Sequence, residues 1–137
     1  MCGVVFSPEE SLRIEVEATA ARWAAATGCD IRVGEGGIPV RVSADLGLSS
    51  RGTRVHGWTH CSDLEVPCKR SQLIIEVTAD HKPATLAHEL GHALPNRMDH
   101  LEGDALMGPA GGAGLISAAD LTYVCERLHC QAFVPEA

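Results

Sequence analysis

The sequence predicts a single α+β domain, on three observations. Its 137 residues are one domain's worth of chain. Its 45% hydrophobic and 21% charged residues are those of an ordinary globular protein rather than a disordered one. Helical spacing appears near both ends, and short β-branched runs fill the first half between them. The apolar run 3–6 reads as a first strand. Ser7-Pro8-Glu9-Glu10 then reads as a helix start, with Ser7 accepting the N3 amide, Pro8 first in the helix and Glu10 completing a capping box. Leu12, Val16, Thr19, Ala20 and Trp23 follow at helical spacing, and Gly28 offers a left-handed stop. Segments 30–33, 38–43, 54–60 and 72–78 are short, bounded by Gly, Pro, Asp or Ser, and read as strands. The last is the most apolar and belongs in the middle of a sheet. Gly-rich stretches at 34–37 and 111–114 read as loops. A second helix opens at Pro83, runs through Leu86, Ala87 and Leu90 to Leu94, and must stop at Pro95. Ser117-Ala118-Ala119-Asp120 caps a final helix whose stripe is Leu121, Val124, Cys125 and Leu128.

Composition excludes some functions. Eleven Lys and Arg against 18 Asp and Glu give a formal charge of -7, and the only basic pair is Lys69-Arg70. Nucleic acid is therefore a poor partner, since phosphate binding needs clustered cations. No run of about 18 apolar residues predicts a transmembrane helix. Only 4% of residues are aromatic, so the core should be thin and helped by cross-links or a metal. Six cysteines (Cys2, Cys29, Cys61, Cys68, Cys125 and Cys130) fit three disulfides and a secreted or cell-envelope setting. Cys61 and Cys68 bracket a loop containing Pro67 and suit a bridge. Cys125 and Cys130, five apart, do not stack on one helical face, so each is expected to pair with Cys2 or Cys29 rather than with the other. No leader is evident. Met1-Cys2-Gly3 would suit a trimmed lipoprotein carrying lipid on Cys2, or Cys2 is a disulfide partner.

The informative string is His88-Glu89-Leu90-Gly91-His92. Histidines four apart on a helix share one face, and both imidazoles reach a single Zn²⁺. Glu89 then stands beside the metal without ligating it, where a carboxylate takes a proton from metal-acidified water and returns it to a leaving amine. Gly91 costs about 1 kcal/mol relative to Ala in mid-helix, which makes sense if another backbone packs closely there. A zinc held by two ligands needs a third. His100, Asp99, Glu102, Asp104 and Glu126 are the candidates. Pro95 and Asn96 turn the chain back, and His100, eight past His92, is best placed by residue type.

His88-Glu-Leu-Gly-His-Ala-Leu followed by Asp104-Ala105-Leu106-Met107 resembles the metzincin clan of zinc endopeptidases, nearest to its matrixin and small snapalysin-like members. The resemblance implies a zincin fold with a small twisted mixed sheet, an active-site helix, a Met-turn and a C-terminal helix. It implies one catalytic domain over 1–137, divided near 95–96. In the family's HExxHxxGxxH/D pattern Pro95 occupies the Gly position and Met98 the third-ligand position. A turn two residues longer moves that ligand to His100. Met107 carries over as the Met-turn residue, and the Tyr that follows this Met in some members is replaced by Gly108-Pro109. An extended peptide would bind along an edge strand matching 54–60, near Gly57, Trp58 and Thr59.

The expectation is a monomeric zinc metalloendopeptidase acting on peptide or protein substrates. Two other readings stand beside it: a gluzincin-like HExxH hydrolase using Glu126 as third ligand, and a non-enzymatic disulfide-stapled module with structural zinc. His56 and His60, near Cys61, are weak candidates for a second metal site. His81 and His129 lack any partner pattern.

Overall fold

The computed structural model describes residues 2–62, 67–112 and 114–137. Burial alternates along its strands: Val4, Phe6, Ile31, Ile38, Val40, Leu73, Ile75 and Val77 are buried, while Arg32, Arg41 and Glu76 between them are not. A period of two of this kind builds a sheet with one dry face. The strands are β1 (Gly3–Pro8), β2 (Asp30–Val33), β3 (Ile38–Ser43), β4 (Gly57–Cys61) and β5 (Leu73–Thr78). They form one mixed sheet in the order β2-β1-β3-β5-β4, parallel except for β4, which runs antiparallel to β5 at the edge. The apolar β5 is interior, as expected.

Three α-helices occur among the described residues: α1 (Arg13–Thr27), α2 (Pro83–Ala93) and α3 (Ala118–Cys125). The α+β class therefore holds. Helix α1 lies against β2 and α2 against β4 and β5. Trp23 of α1 is fully buried and donates through Nε1 to the carbonyl of Ala87, 3.1 Å away. Gly28 ends α1 at φ 68°. Ser117 caps α3 by accepting the amide of Asp120, a contact worth about 1 kcal/mol.

The N-terminal boundary differs from expectation. Ser7 and Pro8 do not start a helix: they extend β1, opposite Pro39 and Val40 of β3. The Ser7 hydroxyl donates to the carbonyl of Gly34 (2.6 Å) and accepts the amide of Gly37 (2.8 Å). The helical region starts with a 3-10 turn at Glu10–Leu12. Pairing between distant strands outcompeted a local capping signal. Strand β4 also starts three residues later than expected, because Arg54 bridges back to Leu48 in a separate turn.

Three disulfides link Cys2 to Cys29, Cys61 to Cys68 and Cys125 to Cys130. The last pairing overturns the expectation that Cys125 and Cys130 seek other partners. That expectation assumed one continuous helix, but α3 ends at Cys125 and His129 turns the chain back at φ 25°, leaving the two Cα atoms 5.3 Å apart. With its sulfur bonded to Cys29, Cys2 has no thiol left for a lipid. Residues 63–66 of the loop bracketed by Cys61 and Cys68, Ala113 of the second Gly-rich stretch, and Met1 lie outside the described residues. No described helix is long and apolar enough to cross a membrane.

Candidate metal centre

Helix α2 carries the centre. Pro83 occupies its first turn, and every residue from Leu86 to Ala93 is buried, including His88, Glu89 and His92. Four-residue spacing stacks the two histidines, and their Nε2 atoms lie 2.9 Å apart. The helix is capped at Leu94, and Asn96 adopts φ 52°, the left-handed step that reverses the chain. The Arg97 amide closes the reversal on the carbonyl of His92 (3.0 Å). His100 then returns to the helix, its Nε2 3.2 Å from that of His92.

Hydrogen bonds fix the state of the buried rings. His88 Nδ1 faces the carbonyl of Leu106 at 2.6 Å, and His92 Nδ1 faces that of Arg97 at 2.8 Å. A carbonyl only accepts, so each Nδ1 carries a proton, and each neutral ring then presents an Nε2 lone pair. Burial favours neutrality by lowering the pKa of His88, and it lowers that of His92 to about 3. Two lone pairs facing each other at 2.9 Å call for a cation between them. Three imidazoles on a tetrahedral Zn²⁺ would hold their nitrogens about 3.3 Å apart, so the 2.9 and 3.2 Å separations fit such an ion within a few tenths of an ångström. The carbonyl partners are the outer shell that metal-binding histidines ordinarily have.

The loop bearing His100 is clamped from α3. Tyr123, whose pKa is raised by burial, has one hydroxyl proton with two carbonyl acceptors in reach, Arg97 (2.8 Å) and Asp99 (2.7 Å), and the same oxygen lies 3.0 Å from His92 Nδ1. The Arg97 guanidinium sits 4.2 Å over the Tyr123 ring and grips Asp99 at 2.7 and 2.9 Å. That clamp holds the two residues on either side of Met98, just ahead of His100.

A tight turn closes from Ala105 to Gly108, and the Met107 carbonyl accepts the amide of Leu101 (2.9 Å). Met107 is fully buried, and a Cβ at Gly91 would strike its Sδ and lie 3.0 Å from Trp23 Cζ2. The small residue at 91 therefore makes room for two side chains rather than for a backbone. Asp120, also fully buried, anchors the turn by accepting the amides of Met107 (2.8 Å) and Leu106 (3.3 Å).

Glu89 points toward β4. Its Oε1 accepts the Thr59 hydroxyl at 2.8 Å, and burial raises its pKa to about 7 against the lowering effect of Thr59. A Cβ at Gly57 would lie 2.6 Å from Thr85 Cγ2 and 2.9 Å from Glu89 Cγ, so glycine is what lets β4 come this close. Just beyond the two ends of β4, His56 and Ser62 hydrogen-bond to Thr78 and Gln72. Antiparallel alternation then directs the backbone groups of Trp58 and His60 inward to β5 and those of Gly57, Thr59 and Cys61 outward. Of the three edge residues expected to meet substrate, Gly57 and Thr59 have outward backbone groups and Trp58 does not. The Trp58 ring, half exposed, stacks on His60 at 3.8 Å.

Among the described residues, His88, His92 and His100 are the only group of three or more side chains able to hold one metal. Asp99 and Glu126 are both paired with Arg97. Glu102 and Asp104 stand outside the group. His60 pairs with Glu76 (2.8 Å), His56 approaches Thr78 and Asp80, and His81 pairs with Glu15 (2.7 Å), so no second centre forms from them. Asp120 as the anchor of Met107 and Tyr123 as the clamp are not among the site residues expected from the sequence. A usable signal existed: the chain's single Tyr lies three residues after a capping Asp, on the same helical face. No protein-family model matches the chain, and no curated protein matches it.

Proposed function

We propose that this chain is a zinc-dependent endopeptidase of the metzincin type. His88, His92 and His100 hold the ion, and Glu89 is general base and then general acid. The observation that carries this reading is the convergence of three imidazoles, two of them on the helix that also carries the buried Glu89 carboxylate, with two rings buried and His100 exposed. A closed structural zinc takes four protein ligands, and no fourth is grouped with these among the described residues. A bound divalent ion supplies a Lewis acid that polarises a carbonyl and acidifies water. Glu89, next in the chain to one of these histidines, would take a proton from water and deliver it to the leaving amine. Leu106 and Arg97 hold the two buried rings by their Nδ1 protons. Met107 and its turn fill the Met-turn role beside Gly91. An extended peptide adds as a strand to the outward backbone groups of Gly57 and Thr59. Three disulfides suit an oxidising, extracellular or envelope setting.

The test is a digest of a mixed-sequence peptide library by zinc-loaded wild type and Glu89→Gln, with metal content measured on both. The reading expects cleavage by wild type, its loss on chelation, and an inactive variant that retains zinc. A zinc-loaded wild type that cuts nothing, or a Glu89→Gln variant that cuts as well, overturns it.

A further inference from the structure

We infer that Thr59 is the positioning residue for Glu89: its hydroxyl holds one carboxylate oxygen and leaves the other to exchange protons. The inference rests on the peptidase reading and assigns a role that the motif itself does not contain. Thr59 is 5% exposed, and alternation along β4 turns its side chain away from Trp58 and His60 and onto α2. Its position is set by pairing with Ile75, in the middle of the β4–β5 register. One proton on Thr59 Oγ1 has two acceptors in reach, Glu89 Oε1 at 2.8 Å and the Glu89 carbonyl at 3.0 Å. The carboxylate oxygen is the nearer of the two acceptors. The second oxygen, Oε2, lies 3.0 Å from where a Gly57 Cβ would stand, so the absence of a side chain at 57 keeps it uncovered on that side. One edge strand therefore orients the carboxylate through Thr59 and gives it room through Gly57.

The alternative role for the hydroxyl is structural, tying β4 to the backbone of α2 through the Glu89 carbonyl. The two roles separate in Thr59→Val, which keeps the shape and removes the donor, and Thr59→Ser, which keeps the donor. Steady-state kinetics of the zinc-loaded proteins would use a quenched fluorogenic peptide taken from the library digest. Positioning predicts a fall in kcat of about 10- to 100-fold in Thr59→Val. KM and zinc content should stay at wild-type values, and Thr59→Ser should recover most of kcat. Wild-type kcat in Thr59→Val, a kcat loss matched by loss of zinc, or no recovery with Ser would overturn the inference. Crystal structures of wild type and Thr59→Val give a readout without activity. The Glu89 carboxylate should leave its place in Thr59→Val, and finding it unmoved refutes the role. A wild type that cleaves no peptide defeats the peptidase reading instead, and the crystals then decide the role of Thr59 alone.

Discussion

His88 donates its Nδ1 proton to the carbonyl of Leu106, 2.6 Å away and 18 residues further along the chain. The next residue, Met107, donates its amide to Asp120, whose carboxylate also takes the amide (2.8 Å) and hydroxyl (2.7 Å) of Ser117. One file of hydrogen bonds thus runs from the histidine helix through the methionine turn to the start of α3.

Asp120→Asn breaks that file. Asn offers one acceptor oxygen where Asp offers two, and its amide nitrogen must face a buried N–H. Losing such a charge-assisted contact costs about 2–4 kcal/mol. Denaturant unfolding of the metal-free protein should show that loss, and zinc affinity should fall about 10- to 100-fold as Leu106 shifts. Unchanged stability would mean that Asp120 anchors nothing.

Gly91→Ala sets two effects against each other. Helix propensity favours Ala by about 1 kcal/mol. The new Cβ, however, collides with Met107 Sδ and presses on Trp23, and overpacking a filled core costs about 1–3 kcal/mol. The variant should therefore be less stable than wild type by thermal unfolding, and Met107→Ala should relieve part of the clash in the double mutant. A more stable Gly91→Ala would show that the contact is slack.

His100→Ala and Glu126→Ala distinguish the third ligand. Glu126 is exposed and paired with Arg97 at 3.0 Å, whereas His100 Nε2 stands 3.2 Å from His92 Nε2. Dialysis against limiting zinc should leave Glu126→Ala loaded and His100→Ala depleted. The reverse result would hand the site to the C-terminal helix.

The C-terminal tail gives a pH dependence. Glu136 is bidentate on Arg22 (2.7 and 2.9 Å) and accepts the amide of Ile116 (2.8 Å), and the Arg22 hydrogen bond holds its pKa below the ordinary 4.5. A carboxylate depressed in the folded state stabilises fully above its unfolded pKa and loses that contribution as pH falls through the folded value. Wild type should thus exceed Glu136→Gln in unfolding midpoint at neutral pH, with the gap closing progressively below about 4.5. A gap independent of pH would refute the ionic contribution.

What could be read in the sequence was local. Histidines four apart, Pro83 and Pro95 bounding their helix, and Asn96 turning the chain back all act within a few residues, and together they brought His100 to the other two. What could not be read was long-range. Ser7 carries a good capping pattern, yet parallel pairing with β3 claims it for a strand. Asp120 satisfies its capping role and also reaches residues 13 and 14 positions away. Thr59 reaches Glu89 across 30 residues, a contact that only the β4–α2 packing creates.

X-ray absorption at the zinc edge of the loaded protein tests the three-histidine centre most directly. The expected result is one zinc per chain, with three imidazole nitrogens at about 2.0–2.1 Å and one further light atom from solvent. A sulfur shell, a fourth protein ligand, or zinc held undiminished after His100→Ala would contradict it.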